Sequence, residues 1–120
     1  DKLVRVRFYD MVRAAGLAQR ILRMALDAFA RLDVNAAVEI VDFDDELDAA
    51  FGSILRQLIS YMMEDPRTIG ASIEIVFMAK SIERVGDHAK NIAEAVVQAV
   101  KGTDVRHQSA AEIRAEVASP

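Results

Sequence analysis

Three stretches of the chain repeat their apolar residues at alternating steps of four and three. The first stripe consists of Val4, Phe8, Met11, Ala15, Ala18, Leu22, Ala25, Phe29 and Leu32. The second starts at Val34 and ends at Met62, and the third starts at Ile75 and ends at Val100. Such spacing keeps one face of a helix against a partner helix, so the pattern predicts three long, packed helices.

Residues typical of helix ends separate the three stripes. The Asp33 carboxylate can accept hydrogen bonds from the first backbone N–H groups of the second helix. Asp65 and Pro66 are expected to end that helix and begin the third, and Gly102 is expected to end the third. Because short connections force neighbouring helices to run in opposite directions, we predict an all-α fold, an antiparallel up-down-up three-helix bundle.

This bundle is assigned to residues 1–102, and residues 103–120 form a polar C-terminal tail. Ser109 and Glu112 have the spacing of a capping box, which predicts one short helix in the tail. A helix that short is marginal in water by itself, so we expect the tail to be loosely held.

The composition of the 120 residues fits amphipathic helices, since 52% are hydrophobic and 28% are charged. Cysteine is absent, which excludes disulfides and thiolate metal sites and favours a reducing compartment, the cytoplasm. No apolar run approaches the roughly 18 residues that a membrane span needs, and no signal-peptide pattern opens the chain.

A net charge of −4 argues against nucleic acid as a partner, because phosphate binding rests on an excess of Lys and Arg. Seven of the 15 basic residues nevertheless lie within the first 31 positions. Six of them share one arc of the first helix and form its basic face: Lys2, Arg5, Arg13, Arg20, Arg23 and Arg31. The basic face is either a solvated surface or a docking surface for an acidic partner.

Carboxylates occupy two positions of the second stripe where apolar residues are expected, Asp44 and Asp48. On the third helix Glu83 and Asp87 also stand four residues apart, hence on one face. Asp44 lies 21 residues before Asp65 and Asp87 lies 22 residues after it, so an antiparallel pair of helices brings the acids to one level. Oxygen ligands suit hard cations, or iron and manganese.

A solvated array of charges is the alternative, since Lys80 and Lys90 lie near the acids of the third helix. Asp45 is adjacent to Asp44 but points one step round the helix. His88 projects about 100° away from Asp87 on a helical wheel, which makes it a poor ligand. The absence of Glu-x-x-His pairs argues against a ferritin-like di-iron site.

Three motifs belong to the third helix and its two ends: ERVGDHAKNIAE at residues 83–94, YMMEDPRTI at residues 61–69 and KGTDVRH at residues 101–107. Together they resemble the PhoU family of bacterial phosphate-signalling regulators. Their order is that of the family's second, C-terminal repeat, and the resemblance extends over residues 11–107. The family folds as two three-helix repeats, so the resemblance implies either a C-terminal fragment or a protein with a single repeat.

The resemblance also implies a metal site. Paired acidic motifs on the second and third helices of each PhoU repeat can hold iron, zinc or related ions. The matching positions here are Asp44, Asp48, Glu83 and Asp87. We therefore expect a divalent or trivalent ion of the Fe, Zn or Mn class.

By resemblance, the protein is a non-catalytic negative regulator of the phosphate-starvation response. It is expected to link the ATPase subunit of the phosphate ABC transporter to a sensor histidine kinase, and to meet the membrane only through those partners. It is also expected to form a homo-oligomer or to pack against a missing first repeat.

Two other functions compete with the regulatory one. A histidine-phosphotransfer bundle would use His88, but Lys90 stands two positions on rather than three, and no Gly follows it. A hydrolase would use the paired carboxylates, but no Ser/His/Asp set or glycine-rich loop accompanies them.

Overall fold

The computed structural model describes residues 2–120, which contain four helices and no strand. We number the helices as follows: α1 covers residues 2–31 in three continuous stretches (Lys2–Arg5, a π-helical Val6–Asp10 and Met11–Arg31), α2 is Val34–Glu64, α3 is Ile69–Lys101 and α4 is Ala110–Ala118. A 3₁₀ turn, Pro66–Thr68, precedes α3. The all-α prediction is confirmed.

Local chemistry accounts for the ends of the long helices. Leu32 closes α1 in the left-handed region (φ 51°), and the Asp33 carboxylate accepts a hydrogen bond from the Ala36 N–H at 3.1 Å. α2 ends just before Asp65, whose backbone is extended. The Asp65 carboxylate accepts a hydrogen bond from the backbone N–H of Arg67. Gly102 ends α3 at φ 74°, a conformation that glycine adopts without a steric penalty.

The three long helices pack against one another in every pairwise combination. The Lys2 ammonium donates a hydrogen bond to the Glu64 carboxylate at 2.8 Å, so the start of α1 lies beside the end of α2. The body is correspondingly elongated, with extents of 57 × 23 × 16 Å.

The tail packs closely against the long helices, although the sequence predicts a loosely held segment. Val105 and Ile113 are both buried, and α4 contacts α2 and α3. The capping box of Ser109 is formed, and the Arg114 guanidinium pairs with the Asp42 carboxylate of α2. The expectation was wrong because these apolar anchors and an interhelical ion pair supplement the weak intrinsic stability of a short helix. The architecture is therefore three long helices with a fourth, short helix against them.

The buried face of α1 also differs from the predicted stripe. The core receives Leu3, Val6, Met11, Ala14, Ala18, Ile21, Ala25 and Ala28. Phe8 and Phe29, which belong to the predicted stripe, are 60% and 57% exposed. Alanines dominate the true contact face because small side chains let α1 approach both other helices, and the π-helical stretch Val6–Asp10 changes the register of the residues before it.

The larger apolar side chains of α1 consequently remain outside the core. Together they form what we call the outer apolar face of α1: Val4, Phe8, Val12, Leu26, Phe29 and Leu32. No side chain of residues 2–120 buries this face. It lies between the core face and the basic face on the helical wheel.

Gly86 marks the closest approach between α2 and α3. It is buried, and a Cβ atom built on it would stand 2.5 Å from Leu47 Cδ2 and 3.1 Å from Asp44 Oδ1. Leu47 is itself fully buried, so its side chain has little room to move. A larger residue at position 86 would separate the two helices that carry the acids.

We predict that Gly86→Ala destabilises the fold. Overpacking of this kind costs about 1–3 kcal/mol, against a gain in helix propensity of about 1 kcal/mol. Gly16→Ala in α1 is the matched control, because a Cβ atom there meets nothing within 4 Å, and it should stabilise the fold. Urea unfolding followed by circular dichroism measures both, and equal gains in stability would show that Leu47 can move aside.

Candidate metal site

The acids of α2 form the centre of the candidate site. One carboxylate oxygen each from Asp44, Asp45 and Asp48 lies within 4.8 Å of the other two. Asp44 is 1% exposed, whereas Asp45 and Asp48 are exposed to solvent. We call these three residues the aspartate cluster. Its members offer only oxygen ligands, the type that hard cations, iron and manganese prefer.

The acids of α3 act on the aspartate cluster through their charge. Burial raises the pKa of the Asp48 carboxyl, and the negative charges of Glu83 and Asp87 raise this pKa further. The carboxylates of Glu83 and Asp87 lie outside the group that comes within 4.8 Å. Glu83 instead accepts a hydrogen bond from the Lys80 ammonium at 3.4 Å. The two helices thus bring all four predicted acids to one face, while the tight contacts involve α2 alone.

Asp44 is the most constrained member of the aspartate cluster. Its Oδ1 is buried and has no hydrogen-bond partner in residues 2–120. Burial raises the pKa of Asp44 to about 6, the charge of Asp48 acts in the same direction, and Lys90 opposes both. A buried carboxylate without a partner is costly to keep ionised, so this oxygen is suited to a cation.

Asp45, which could join the site because it is adjacent to Asp44, does join the aspartate cluster although it lies one step round α2. Another acid near the site was not predicted from the sequence pattern. Glu94 on α3 is buried, and burial raises its pKa while Lys90 and His107 lower it. Its position beside the small-residue stripe of α3 gave no indication that it would be buried.

His88 lies on the exposed surface of α3 and is not a member of the aspartate cluster. The structure therefore leaves it apart from the ligands proposed above, as its direction on the helical wheel predicts.

Comparison with known proteins identifies the family. The PhoU domain pattern matches residues 11–96 of the chain. The chain belongs to the PhoU family. This match covers more than half of the sequence and includes the aspartate cluster of α2 and the acids Glu83 and Asp87 of α3.

PhoU relatives are similar over almost the whole chain. The phosphate-specific transport system accessory protein PhoU homolog of Pseudomonas aeruginosa is 45% identical over 112 residues, which are 92% of this chain and 46% of that protein. The PhoU of Escherichia coli K12 is 46% identical over 94 residues, 78% of this chain and 39% of that protein. Both names describe an accessory protein rather than an enzyme, which agrees with the prediction of a non-catalytic domain.

A solved PhoU structure shares the fold. The crystal structure of PhoU from Pseudomonas aeruginosa superimposes with a TM-score of 0.73 at 42% identity, covering 83% of this chain and 46% of that one. The chain therefore spans about half the length of the PhoU proteins that it matches. Within residues 2–120, no helix has the length and apolarity required to cross a membrane.

The raised pKa of Asp44 predicts how stability depends on pH. Its folded-state pKa of about 6 exceeds the usual 3.8, so the folded protein loses stability as pH rises through this interval, by about 3 kcal/mol in total. Asp44→Asn should remove this loss, and the variant should be more stable than the parent at pH 7 in the presence of a chelator.

Urea unfolding between pH 4 and pH 8 measures this effect. Glu46→Gln is the control, because it removes an exposed carboxylate of α2 and should leave the pH dependence unchanged. An Asp44→Asn variant with the parent's slope of stability against pH would show that Asp44 is not the titrating group.

Proposed function

We propose that the chain is a non-catalytic regulator of phosphate uptake and of phosphate-starvation signalling. It acts in the cytoplasm as an adapter between the ATPase subunit of the phosphate ABC transporter and a sensor histidine kinase, and it keeps the kinase inactive when phosphate is plentiful. The PhoU match over residues 11–96, with relatives named as accessory proteins of phosphate-specific transport, carries this proposal. Nucleic acid is not a partner in it, because the net charge is −4.

The basic face of α1 is the docking surface in this proposal. Some of its members already have partners: Lys2 pairs with Glu64, and Arg31 pairs with Asp27. Arg20 lies over the Phe43 ring, 5.6 Å from its centroid. Arg13 and Arg23, in the middle of α1, are exposed to solvent and can attract an acidic surface from a distance.

Reversing the charge of Arg13, Arg20 and Arg23 together to Glu should weaken association with the purified kinase or ATPase subunit, mainly at low salt. Screening of exposed charges explains the salt dependence. The control changes the same three residues to Lys, which keeps the charge. Affinity that is unchanged by the Glu substitutions would leave the basic face a solvated surface, and no association with either partner would contradict the adapter function.

The adapter is also proposed to bind a metal ion of the Fe, Zn or Mn class. Asp44, Asp48, Glu83 and Asp87 are the ligands predicted from the sequence, and Asp45 is a fifth acid at the same place. The buried, unpartnered Oδ1 of Asp44 and the mutual repulsion of these acids support the proposal. A cation would neutralise that repulsion and join α2 to α3 beside Gly86.

Added Fe, Mn or Zn should therefore raise the melting temperature, because an ion that binds the native state stabilises it by about 2.7 kcal/mol at one hundred times its Kd. Changing Asp48 and Asp87 together to Asn should abolish this response. The metal-free variant should be as stable as the parent or more stable, since repulsion is relieved. Differential scanning calorimetry after chelation and after metal addition measures both effects.

The opposite result has a clear meaning. If the double variant unfolds without metal, the carboxylates of the parent protein form structural ion pairs with Lys80 and Lys90, and the metal proposal for this chain is wrong. Glu39→Gln, which removes an exposed carboxylate elsewhere on α2, should change neither the stability nor the metal response.

The outer apolar face of α1 is proposed to pack against the first repeat that this chain lacks. Phe8 and Phe29 expose more apolar surface than residues on a solvated helix normally do, and the matched relatives are about twice as long as this chain. A second copy of the chain is the other occupant predicted from the sequence. A strictly monomeric chain in light scattering would exclude it.

A further inference from the structure

An apolar groove lies between α2 and α3, next to the aspartate cluster. Phe51, Leu58 and Val76 are among the residues that line it, and it encloses about 150 Å³. Gly52 lines one side and contributes no side chain, which leaves the groove open there. The groove differs from the outer apolar face of α1, which lies on another helix.

Exposed apolar residues extend beyond the groove along both helices. Leu55 lines the groove and is 39% exposed. Ile59 and Ile73 stand one helical turn beyond the lining residues Leu55 and Val76 and are exposed to a similar degree. A run of apolar residues along two neighbouring helices is the form of surface into which the apolar face of a third helix packs. No side chain of residues 2–120 fills the groove.

Acidic side chains make one end of the groove negatively charged. Asp48 and Glu83 line its end, and Asp87 adds to the same field. Lys80, which also lines the groove, is paired with Glu83 and offsets part of this charge. An apolar groove with an acidic end is complementary to a ligand that has an apolar stripe and a basic residue at one end of it. Nucleic acids and anionic membranes have the wrong charge for this end.

We infer that the groove receives an amphipathic helix of a protein partner, with an apolar side chain of that helix between Phe51 and Val76 and a Lys or Arg side chain against Asp48 and Glu83. The inference rests on the proposed function, because the partner is a subunit of the phosphate transporter in that proposal. It adds a second surface of contact, on α2 and α3, to the basic face of α1. The partner is bound through two chemically different contacts that can be tested separately.

The apolar contact is tested by filling the groove. Gly52→Leu places a side chain in it, and a Cβ atom at this position meets only the flexible end of Arg56 at 3.3 Å. Replacing a helical glycine with Leu should also raise helix propensity, so the variant is expected to fold. Its affinity for the purified ATPase subunit of the phosphate transporter should fall about tenfold, as for loss of a central apolar contact. Gly70→Leu at the start of α3 is the control, because a Cβ atom there meets nothing within 4 Å and the residue does not line the groove; it should leave the affinity unchanged.

The charged contact is tested by Glu83→Gln in a buffer with a chelator, which keeps metal ions from the same carboxylates. Affinity should fall about threefold at low salt and converge with the parent at high salt, as for a partly exposed ion pair. Glu39→Gln removes an exposed carboxylate of α2 that does not line the groove, and it should have no effect.

Titration calorimetry with the purified ATPase subunit separates the outcomes, with light scattering of each variant alongside. If the Gly52→Leu variant binds the subunit as tightly as the parent does, this inference is overturned and the proposed function still stands. If Gly52→Leu changes only the mass of the oligomer in light scattering, the groove is occupied by a second copy of the chain, and the inference is also overturned. Parent protein that does not bind the subunit overturns both the proposed function and the inference.

Discussion

The close approach of α2 to α3 at Gly86 is the contact on which the rest of the structure depends. The absence of a side chain at this position lets Leu47 enter the core and leaves Asp44 against the facing helix. Protein interiors are packed at nearly crystalline density, so a small change in this spacing would alter the packing contacts along both helices. The burial of the Asp44 carboxylate and the groove between the helices both follow from how near α2 and α3 come.

The same contact produces a conflict between stability and function. Asp44 occupies a core position, so the folded state lacks the stabilisation that a buried apolar side chain would contribute there. The acids around Asp44 also repel one another. Natural sequences break such local rules mainly at functional sites, where a ligand compensates. Asp48 and the acids of α3 lie in a more solvated setting, so the conflict is concentrated at a single buried residue.

Local features were predictable from the sequence, and features set by neighbouring helices were not. Asp33, Pro66 and Gly102 determine helix ends through their own backbone chemistry, so those ends were predicted correctly. The stripe containing Phe8 and Phe29 has the spacing of a packed helix face, but a neighbouring line of alanines on α1 faces the core instead. The spacing alone cannot show which of two apolar lines on one helix is buried. The common level of the acids was predicted by counting residues from Asp65, whereas the burial of Asp44 depends on the helix spacing at Gly86.

The pair between Arg114 and Asp42 has a consequence for how the molecule assembles. These residues are 72 positions apart, so their contact closes a longer segment of chain than the pair between Lys2 and Glu64, which are 62 positions apart. Contacts of such separation form slowly, because chain entropy must be lost before they contribute. The ribosome also delivers α4 after the three long helices. The cover that Ile113 forms on the core is therefore the last part to be added, and a newly made chain passes through a stage in which that part of the core is still open to water.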